Sequence, residues 1–245
     1  MYVPDAYKVE DKAKLFDGIK RIQVGHLVTQ HKDELRTTFL PWIVSESEGE
    51  QGVLYAHAAK ANPISDLPRI SDNVVIIFTG EHGYVSPSWM PSKKATGGRV
   101  VPTWDYEAIQ VKGNLEILKE KDTYMKLVSD VSDQNEKDRP EPWSVSDAPE
   151  NYIKGKFNNI IGVKVTITGI TGSHKYAQDV SKADKEGISR GLRADGEDQH
   201  AGCVAAGCPV RSSAKRETGR TLPIFALLFL VLSFALFFWA PTKDK

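Results

Sequence analysis

The chain has 245 residues, and its 32 lysine and arginine side chains are balanced by 32 aspartate and glutamate side chains. This balance excludes a strong overall attraction to nucleic acid or acidic lipid, although a local basic surface is compatible with it. Hydrophobic residues make up 40% and charged residues 26%, which is typical of a globular protein with one large or two small domains.

The first predicted element is a helix that begins after Asp11 and ends near residue 21. Asp11 can cap this helix, and Leu15, Phe16 and Ile19 share one of its faces. Strands dominate from there, and we predict them at residues 25–29, 36–44, 52–58, 73–79, 83–86, 100–117 and 160–170. The continuous apolar run at residues 74–78 is typical of a strand that is buried on both faces.

Two further helices are predicted, at residues 122–131 and from Asp147 to about residue 156. Seven short strands with two or three helices favour a closed or partly closed barrel in a β-dominated α+β fold over a doubly wound sheet. A barrel also removes the exposed edges that so many strands would otherwise leave. We place this domain at residues 1–192.

Residues 193–221 contain few large apolar side chains and are predicted to form a flexible linker. The only two cysteines, Cys203 and Cys208, lie in it, so the predicted core has no disulfide framework. They are interpreted as incidental thiols, with S-acylation beside a membrane, a redox pair or a haem contact near His200 as alternatives.

Residues 222–240 are predicted to form a single transmembrane helix, because Ser233 is their only polar side chain. Nineteen residues at about 1.5 Å per residue span roughly 28 Å, the thickness of the hydrocarbon core of a bilayer. Trp239 lies near the far end, where an indole favours the membrane interface.

The charges on either side of this helix predict its orientation. Arg211, Lys215, Arg216 and Arg220 precede it, and only a short tail, residues 241–245, follows it. Basic residues favour the cytosolic side, and the first residues lack the basic and apolar regions of a secretory signal. We therefore expect a tail-anchored, single-pass membrane protein whose N-terminal domain lies in the cytosol.

Polar and aromatic residues interrupt the predicted strands in segments 57–63, 84–94 and 101–106. Segment 84–94 combines hydroxyls, an aromatic ring and two lysines, which suit a phosphate and a planar ring. Plainer alternatives are an ordinary strand end at His57 and Lys60, a surface loop at 84–94, and core or dimer packing for Trp104. The sequence contains no GxGxxG, GxxxxGK[ST], HExxH, GxSxG or CxxC motif.

These segments, in this order, resemble the PaiB family of FMN-binding negative transcriptional regulators. The matching residues are 1–4, 59–63, 84–89, 101–106, 142–143 with 147–149, and 187–192. The resemblance implies an FMN-binding split β-barrel with peripheral helices, which pairs as a homodimer with flavin in the groove between subunits. It departs from the family at Lys60, which stands in place of an arginine, and at Asp105, which adds a negative charge.

The resemblance also implies a set of cofactor-binding residues. Candidates for the phosphate are Lys60, Ser86, Ser88 and Lys93, and candidates for the wall beside the isoalloxazine ring are Trp89, Trp104 and Tyr106. Further candidates in the matching segments are Asn62, Thr103, Lys175 and Gln178.

The preferred hypothesis is a membrane-anchored protein that binds FMN or a related flat cofactor and has a redox or sensing role. If it is an enzyme, it is an FMN-dependent oxidoreductase, and no general acid or base is identified because the cofactor carries such chemistry. One alternative is a transcriptional regulator that binds a partner protein or DNA, although the neutral composition argues against DNA. Another is a haem-binding barrel with His57, His174 or Cys208 as the axial ligand.

Overall fold

Eight strands form one antiparallel sheet in the computed structural model, which describes residues 1–32, 34–65 and 71–206 and, at residues 65 and 121–125, the backbone alone. The strands are β1 (Lys8–Val9), β2 (Val24–Gln30), β3 (Leu35–Pro41), β4 (Ile43–Ser45), β5 (Val53–Ala59), β6 (Asn73–Val85), β7 (Thr103–Leu118) and β8 (Ile160–Lys175). Their order is β3-β2-β6-β7-β8-β5-β4, and β1 pairs with β8. The prediction of a strand-dominated α+β domain is confirmed.

Helices flank this sheet. They are α1 (Lys12–Ile22), α2 (Ser92–Ala95), α3 (Lys121–Glu136), α4 (Glu150–Phe157), α5 (Lys182–Ala194) and α6 (Asp198–Ala206). Short 3₁₀ turns lie at Asp5–Tyr7, Pro63–Ser65, Pro87–Trp89 and Val145–Asp147. The predicted cap of α1 is present, because the Asp11 carboxylate accepts a 3.0 Å hydrogen bond from the Ala13 amide.

The main core lies between α1 and the inner face of the sheet. Leu15, Phe16 and Ile19 of α1 are each at most 4% exposed and pack against inward residues such as Phe78 and Ile109. Burial of each such side chain stabilises the fold by about 1.5–3 kcal/mol. The helical spacing of apolar residues in the sequence therefore identified the face of α1 that covers the sheet.

The outer face of the sheet is open where β2, β3 and β6 meet. Phe39, His26 and Ile77 lie side by side across these strands, and Phe39 and Ile77 are 59% and 41% exposed. The prediction that residues 74–78 are buried on both faces is therefore wrong. Inward and outward residues alternate along β6, and no described element covers its outer side.

The two edge strands, β3 and β4, are not hydrogen-bonded to each other, so the sheet is split between them. The predicted strand 36–44 is interrupted at Trp42, whose side chain is 2% exposed. Its amide donates to the Gln23 carbonyl at 2.7 Å, and its indole Nε1 donates to the Gly25 carbonyl at 3.3 Å. Trp42 thus joins the two edge strands of a split-barrel-like sheet. Segments 73–79 and 83–86 instead form one strand, β6, with an irregularity between Thr79 and His82.

The two last described helices form a second core at the end of β6 and β8. Ile188 and Leu192 of α5 pack with Ala201, Cys203 and Val204 of α6, all at most 2% exposed. The prediction of a flexible linker from residue 193 differs from this finding, because Ala201, Cys203 and Val204 of α6 are buried. Cys203 is also disulfide-bonded, so its interpretation as a linker thiol is wrong.

The predicted transmembrane helix 222–240, the tail 241–245, the later part of the linker and Cys208 lie outside the described residues. Within residues 1–32, 34–65 and 71–206, no helix is both long and apolar enough to span a bilayer.

Candidate functional site

A cavity of about 530 Å³ lies at the turn between β2 and β3, beside residues 62–64. Small-molecule and cofactor sites commonly have volumes of about 300–1,000 Å³. Polar side chains dominate its lining, and apolar atoms come from one aromatic ring and two residues that follow β5. The lining residues are Thr29, His31, Glu34, Arg36, Thr37, Thr38, Phe39, Asn62, Pro63 and Ile64.

The antiparallel pairing of β2 and β3 brings the polar side chains of the cavity together. Thr29 lies opposite Arg36 in this pairing. The His31 amide donates to the Glu34 carbonyl at 2.9 Å and closes the turn, and His31 Nε2 lies 3.1 Å from Thr29 Oγ1. The Arg36 side chain is held by Glu34, with Nε donating to Oε1 at 2.5 Å. The turn therefore fixes a cation beside the opening.

The segment after β5 supplies the opposite side of the cavity. The Asn62 amide donates to the Ala59 carbonyl at 2.8 Å, and Asn62 Oδ1 accepts a 3.1 Å hydrogen bond from the Ile64 amide. The oxygen of the Asn62 side chain accepts this bond, and the amide nitrogen of the same side chain is a hydrogen-bond donor. Asn62 is the one predicted cofactor-binding residue in the lining of this cavity.

The donors around the cavity suit an anion such as a phosphate. Arg36 offers a guanidinium, Thr37 and Thr38 offer hydroxyls, and Asn62 offers an amide, all of which bind phosphate oxygens in proteins. Glu34 neutralises part of the charge on Arg36, so an anion would have to share or displace that carboxylate. Phe39 presents an aromatic wall that is 59% exposed.

Two predicted residues, Trp104 and Tyr106, form a patch of exposed aromatic rings together with Tyr84, and we call these three residues the aromatic patch. These three side chains are 46%, 56% and 37% exposed. Tyr84 and Trp104 are paired across β6 and β7, with ring centroids 6.2 Å apart and planes at 71°. Exposed rings in this arrangement form a flat surface on which a planar ligand or another protein can pack.

Lys175 supports the aromatic patch from β8. Its Nζ donates to Thr103 Oγ1 and to the Trp104 carbonyl, both at 2.5 Å. The same ammonium lies 5.8 Å from the ring centroid of Tyr7 and 5.9 Å from that of Tyr106. These contacts use two of its three donors, so Lys175 positions the start of β7 and keeps one donor for a ligand.

Three of the remaining predicted residues, Ser86, Gln178 and Trp89, have structural partners. Ser86 caps the turn Pro87–Trp89 by accepting a 3.2 Å hydrogen bond from the Ser88 amide. Gln178 Oε1 accepts from the Tyr176 amide at 2.7 Å. The ring of Trp89 lies against Gly191 of α5 so closely that a β-carbon there would overlap it. The exposed Lys60 and Lys93 lie at the end of β5 and on α2.

The predicted residues do not lie together in a single chain. Lys60 and Asn62 follow Ala59, which pairs with Ile160 at the first residue of β8. Tyr106 pairs with Lys175 at the last residue of the same strand. We call these regions the cavity end and the aromatic end. Arg36, Thr37 and Thr38 at the cavity end were not predicted from the sequence. Three polar residues in a row within a predicted strand could have indicated them.

A buried polar pair lies behind the aromatic patch. Asp105 and His200 are 1% and 0% exposed, and His200 Nε2 lies 3.7 Å from Asp105 Oδ2. Neither this oxygen nor either ring nitrogen of His200 has a hydrogen-bond partner among the described residues. Asp105, which departs from the family pattern, therefore faces a histidine on α6. This contact could not be predicted while α6 was interpreted as linker.

Two other histidines have pKa values that are lowered from the ordinary value. Burial lowers the pKa of His57. Burial also lowers the pKa of His174, with a smaller contribution from Arg21, while the nearby Glu107 opposes the shift. Among the described residues, no group of three or more His, Cys, Asp or Glu side chains could hold a metal ion.

The open antiparallel sheet and its flanking helices define a split-barrel-like α+β protein with a donor-rich cavity. Residues 1–169 match the family described as "Putative FMN-binding domain", and the chain belongs to that family. Both the cavity and the aromatic patch lie within the matched residues.

The chain is also similar to several known proteins. An uncharacterised protein of Aspergillus fumigatus is 35% identical over 179 residues, which cover 60% of this chain and 69% of the relative. The protease synthase and sporulation protein PAI 2 of Bacillus subtilis is 24% identical over 184 residues, which cover 75% and 85%. The FAD and haem binding protein of Mycobacterium smegmatis has 12% identity and a TM-score of 0.48 over 76% of this chain and 80% of its own. The family match confirms the resemblance to PaiB-like proteins.

Proposed function

We propose that this chain binds FMN, with the phosphate in the cavity at the turn between β2 and β3. The observation that carries the proposal is the cavity of about 530 Å³, lined by Arg36, two threonine hydroxyls and Asn62, within residues that match the FMN-binding family. These donors would hold the phosphate, and Phe39 would lie beside the flavin ring. The bound flavin would supply electron or hydride transfer, in a redox or sensing role.

We further propose that the aromatic patch of one protomer covers the cavity of its partner in a homodimer. Two observations support this arrangement. The cavity end and the aromatic end both match the family, yet they lie at opposite ends of β8 in one protomer. The exposed row of Phe39, His26 and Ile77 also gives the outer face of the sheet an apolar surface that a second copy can bury.

Titration of the purified protein with FMN tests the cofactor assignment. We expect visible flavin absorption and quenched flavin fluorescence in the wild-type protein. Arg36→Ala should weaken binding roughly 10- to 100-fold, because a hydrogen bond to a charged group contributes about 1.5–3 kcal/mol. Lys93→Ala, which removes an exposed cation on α2, is the matched control. A protein that ignores added FMN, or that depends on Lys93 rather than Arg36, contradicts the proposal.

Membrane attachment through residues 222–240 is a separate proposal that rests on the sequence, in which Ser233 is the only polar residue of this segment. Alkaline extraction of membranes should leave the full chain in the membrane fraction. A chain that ends at Arg211, the last residue of the compact N-terminal unit, should be released. Release of both proteins would contradict the proposal.

Haem is the alternative cofactor, and the same purified protein distinguishes it. Bound haem would give a Soret band that is lost in His57→Ala or His174→Ala. The cavity gives this alternative no support, because its donors are those of an anion site. The FMN proposal predicts a flavin spectrum that both histidine variants retain.

A further inference from the structure

A second concave site lies on α5, beyond the residues that match the family. It is a groove of about 320 Å³ that the outer face of α5 and the end of α6 line together. We call it the basic groove. Four cations, one carboxylate, one hydroxyl and one methyl group line it: Lys182, Lys185, Arg190, Arg193, Glu186, Ser189 and Ala205.

Helical spacing places the four cations on one side of α5. Positions 182, 185, 189 and 193 follow the three- and four-residue steps of a single helix face, and position 190 lies at its border. None of these four cations forms an ion pair within the part of the chain that the structure describes. Four positive charges therefore face one negative charge in the groove, in a chain whose total charge is zero.

The other acidic residue of α5 is not available to neutralise the groove. Asp184 is 5% exposed and accepts hydrogen bonds from the Ser92 amide at 2.9 Å and from Ser181 Oγ at 2.8 Å. These contacts lower the pKa of Asp184, the Ser92 amide being the largest cause. The Asp184 carboxylate therefore joins α5 to α2 and does not neutralise the cations of the groove.

The groove is built on a fixed helix. Gly187 and Gly191 on the opposite face of α5 allow close contact with Trp89, where a β-carbon would overlap the backbone or the ring. Ser189 donates to the Ala201 carbonyl at 3.1 Å and ties α5 to α6. These contacts fix the orientation of α5, and a bound anion would relieve the mutual repulsion of its cations.

We propose that the basic groove binds a phosphate-bearing anion other than the flavin. Guanidinium and ammonium groups at helical spacing can hold two phosphate groups, or one phosphate and its neighbouring ester. No aromatic side chain is among the described residues that line the groove, so it offers no stacking surface for an isoalloxazine ring. The ligand is either a soluble phosphorylated molecule or a phospholipid headgroup, and the second source rests on the membrane attachment proposed above.

Calorimetric titration of the full chain with pyrophosphate, at saturating FMN, tests the site. The double variant Arg190→Gln/Arg193→Gln should lower pyrophosphate affinity by about tenfold or more, because it removes two charge-assisted contacts. The double variant Lys154→Gln/Lys156→Gln is the matched control, with two exposed cations removed from α4. FMN affinity should be the same in all three proteins.

The outcomes separate this site from the flavin site. If Arg36→Gln abolishes pyrophosphate binding while the groove variant retains it, the anion binds in the flavin cavity and the proposal is overturned. Absence of pyrophosphate binding, or equal binding by the wild-type chain and the groove variant, also overturns it. Failure of FMN binding alone leaves the groove result intact, because the groove variant is compared with the wild-type chain under identical conditions.

Added phospholipid vesicles identify the source of the phosphate. Phosphatidic acid in phosphatidylcholine vesicles should compete with pyrophosphate in the wild-type chain and in the Lys154→Gln/Lys156→Gln control if the groove binds lipid headgroups. Equal pyrophosphate affinity with and without phosphatidic acid supports a soluble phosphorylated ligand in the same groove.

Discussion

The cavity end and the aromatic end, at the two ends of β8, carry different kinds of side chain. The cavity end is concave and rich in hydrogen-bond donors, but Phe39 is the single aromatic ring in the described lining. The aromatic end is exposed and carries three rings, and two donors of its lysine already bind Thr103 and the Trp104 backbone. A phosphorylated planar ligand needs both kinds of surface. This difference is the reason why we propose a flavin site that combines the cavity end of one chain with the aromatic end of another.

Two tryptophans also differ in what they hold in place. The fully buried Trp42, between the edge strands β3 and β4, donates from its amide and its indole to the Gln23 and Gly25 carbonyls at the start of β2. At the aromatic end, the half-buried Trp89 packs on Gly191 and connects the loop after β6 to α5. One tryptophan belongs to the main core, and the other belongs to the second core.

The largest expected effect is on stability, and it compares these two tryptophans. Trp42→Ala should lower the free energy of unfolding by about 3–5 kcal/mol, because it leaves a large cavity and removes the hydrogen bond of the indole. Trp89→Ala should cost less, since its ring is half-buried. Chemical denaturation followed by circular dichroism measures both. An equal or larger loss for Trp89→Ala would show that the second core, rather than the split between β3 and β4, limits stability.

The next effect concerns the site that we propose across the dimer. Trp104→Ala should weaken FMN binding roughly 2- to 10-fold, because an aromatic contact contributes about 0.5–1.5 kcal/mol. Tyr152→Ala, which removes an exposed ring on α4, is the control. Titration with FMN measures both variants.

Mixed dimers then separate a site shared between protomers from one within a protomer. If Arg36 and Trp104 act across the interface, subunits with Arg36→Ala and subunits with Trp104→Ala should together form one intact site in each mixed dimer. Half of the wild-type number of tight FMN sites should then return. No recovery in mixed dimers, whose formation is checked with two affinity tags, would place both residues in the same protomer's site.

The sequence predicted the fold better than the site, for a physical reason. Alternating apolar residues and the Asp11 cap depend on local periodicity, and the structure has the corresponding strands and α1. Arg36 and Asn62, by contrast, line the same cavity because β3 lies near the end of β5 in a curved sheet. No local sequence pattern encodes that proximity. The irregularity within the single strand at residues 73–85 likewise depends on its pairing with β7.

The C-terminal helices illustrate the same limit. Residues 198–206 have few large side chains, so composition predicts a flexible segment. Their burial depends on contacts with α5 and on the fit of His200 against Gly83, where a β-carbon would overlap the ring. The buried pair of His200 and Asp105 therefore became visible only with the tertiary structure.

The smallest expected effect is a dependence of stability on pH, to which both ends contribute. Burial lowers the pKa of His57, near the cavity end, and of His174, near the aromatic end. Below the ordinary histidine pKa of about 6.5, the unfolded chain binds protons that the folded chain does not. Stability should therefore be highest above that pH and should fall as the pH drops towards the lowered folded values.

Unfolding free energies measured from pH 7 downwards compare the two ends. His57→Gln should remove more of the pH dependence than His174→Gln, because Glu107 beside His174 favours the protonated form and offsets part of its shift. His82→Gln, which replaces an exposed histidine on β6, is the control for the loss of an imidazole. If His174→Gln flattened the profile more than His57→Gln, the carboxylate of Glu107 would be too well paired with Arg21 to support a charge on His174. His174 would then resist protonation in the folded protein more strongly than His57.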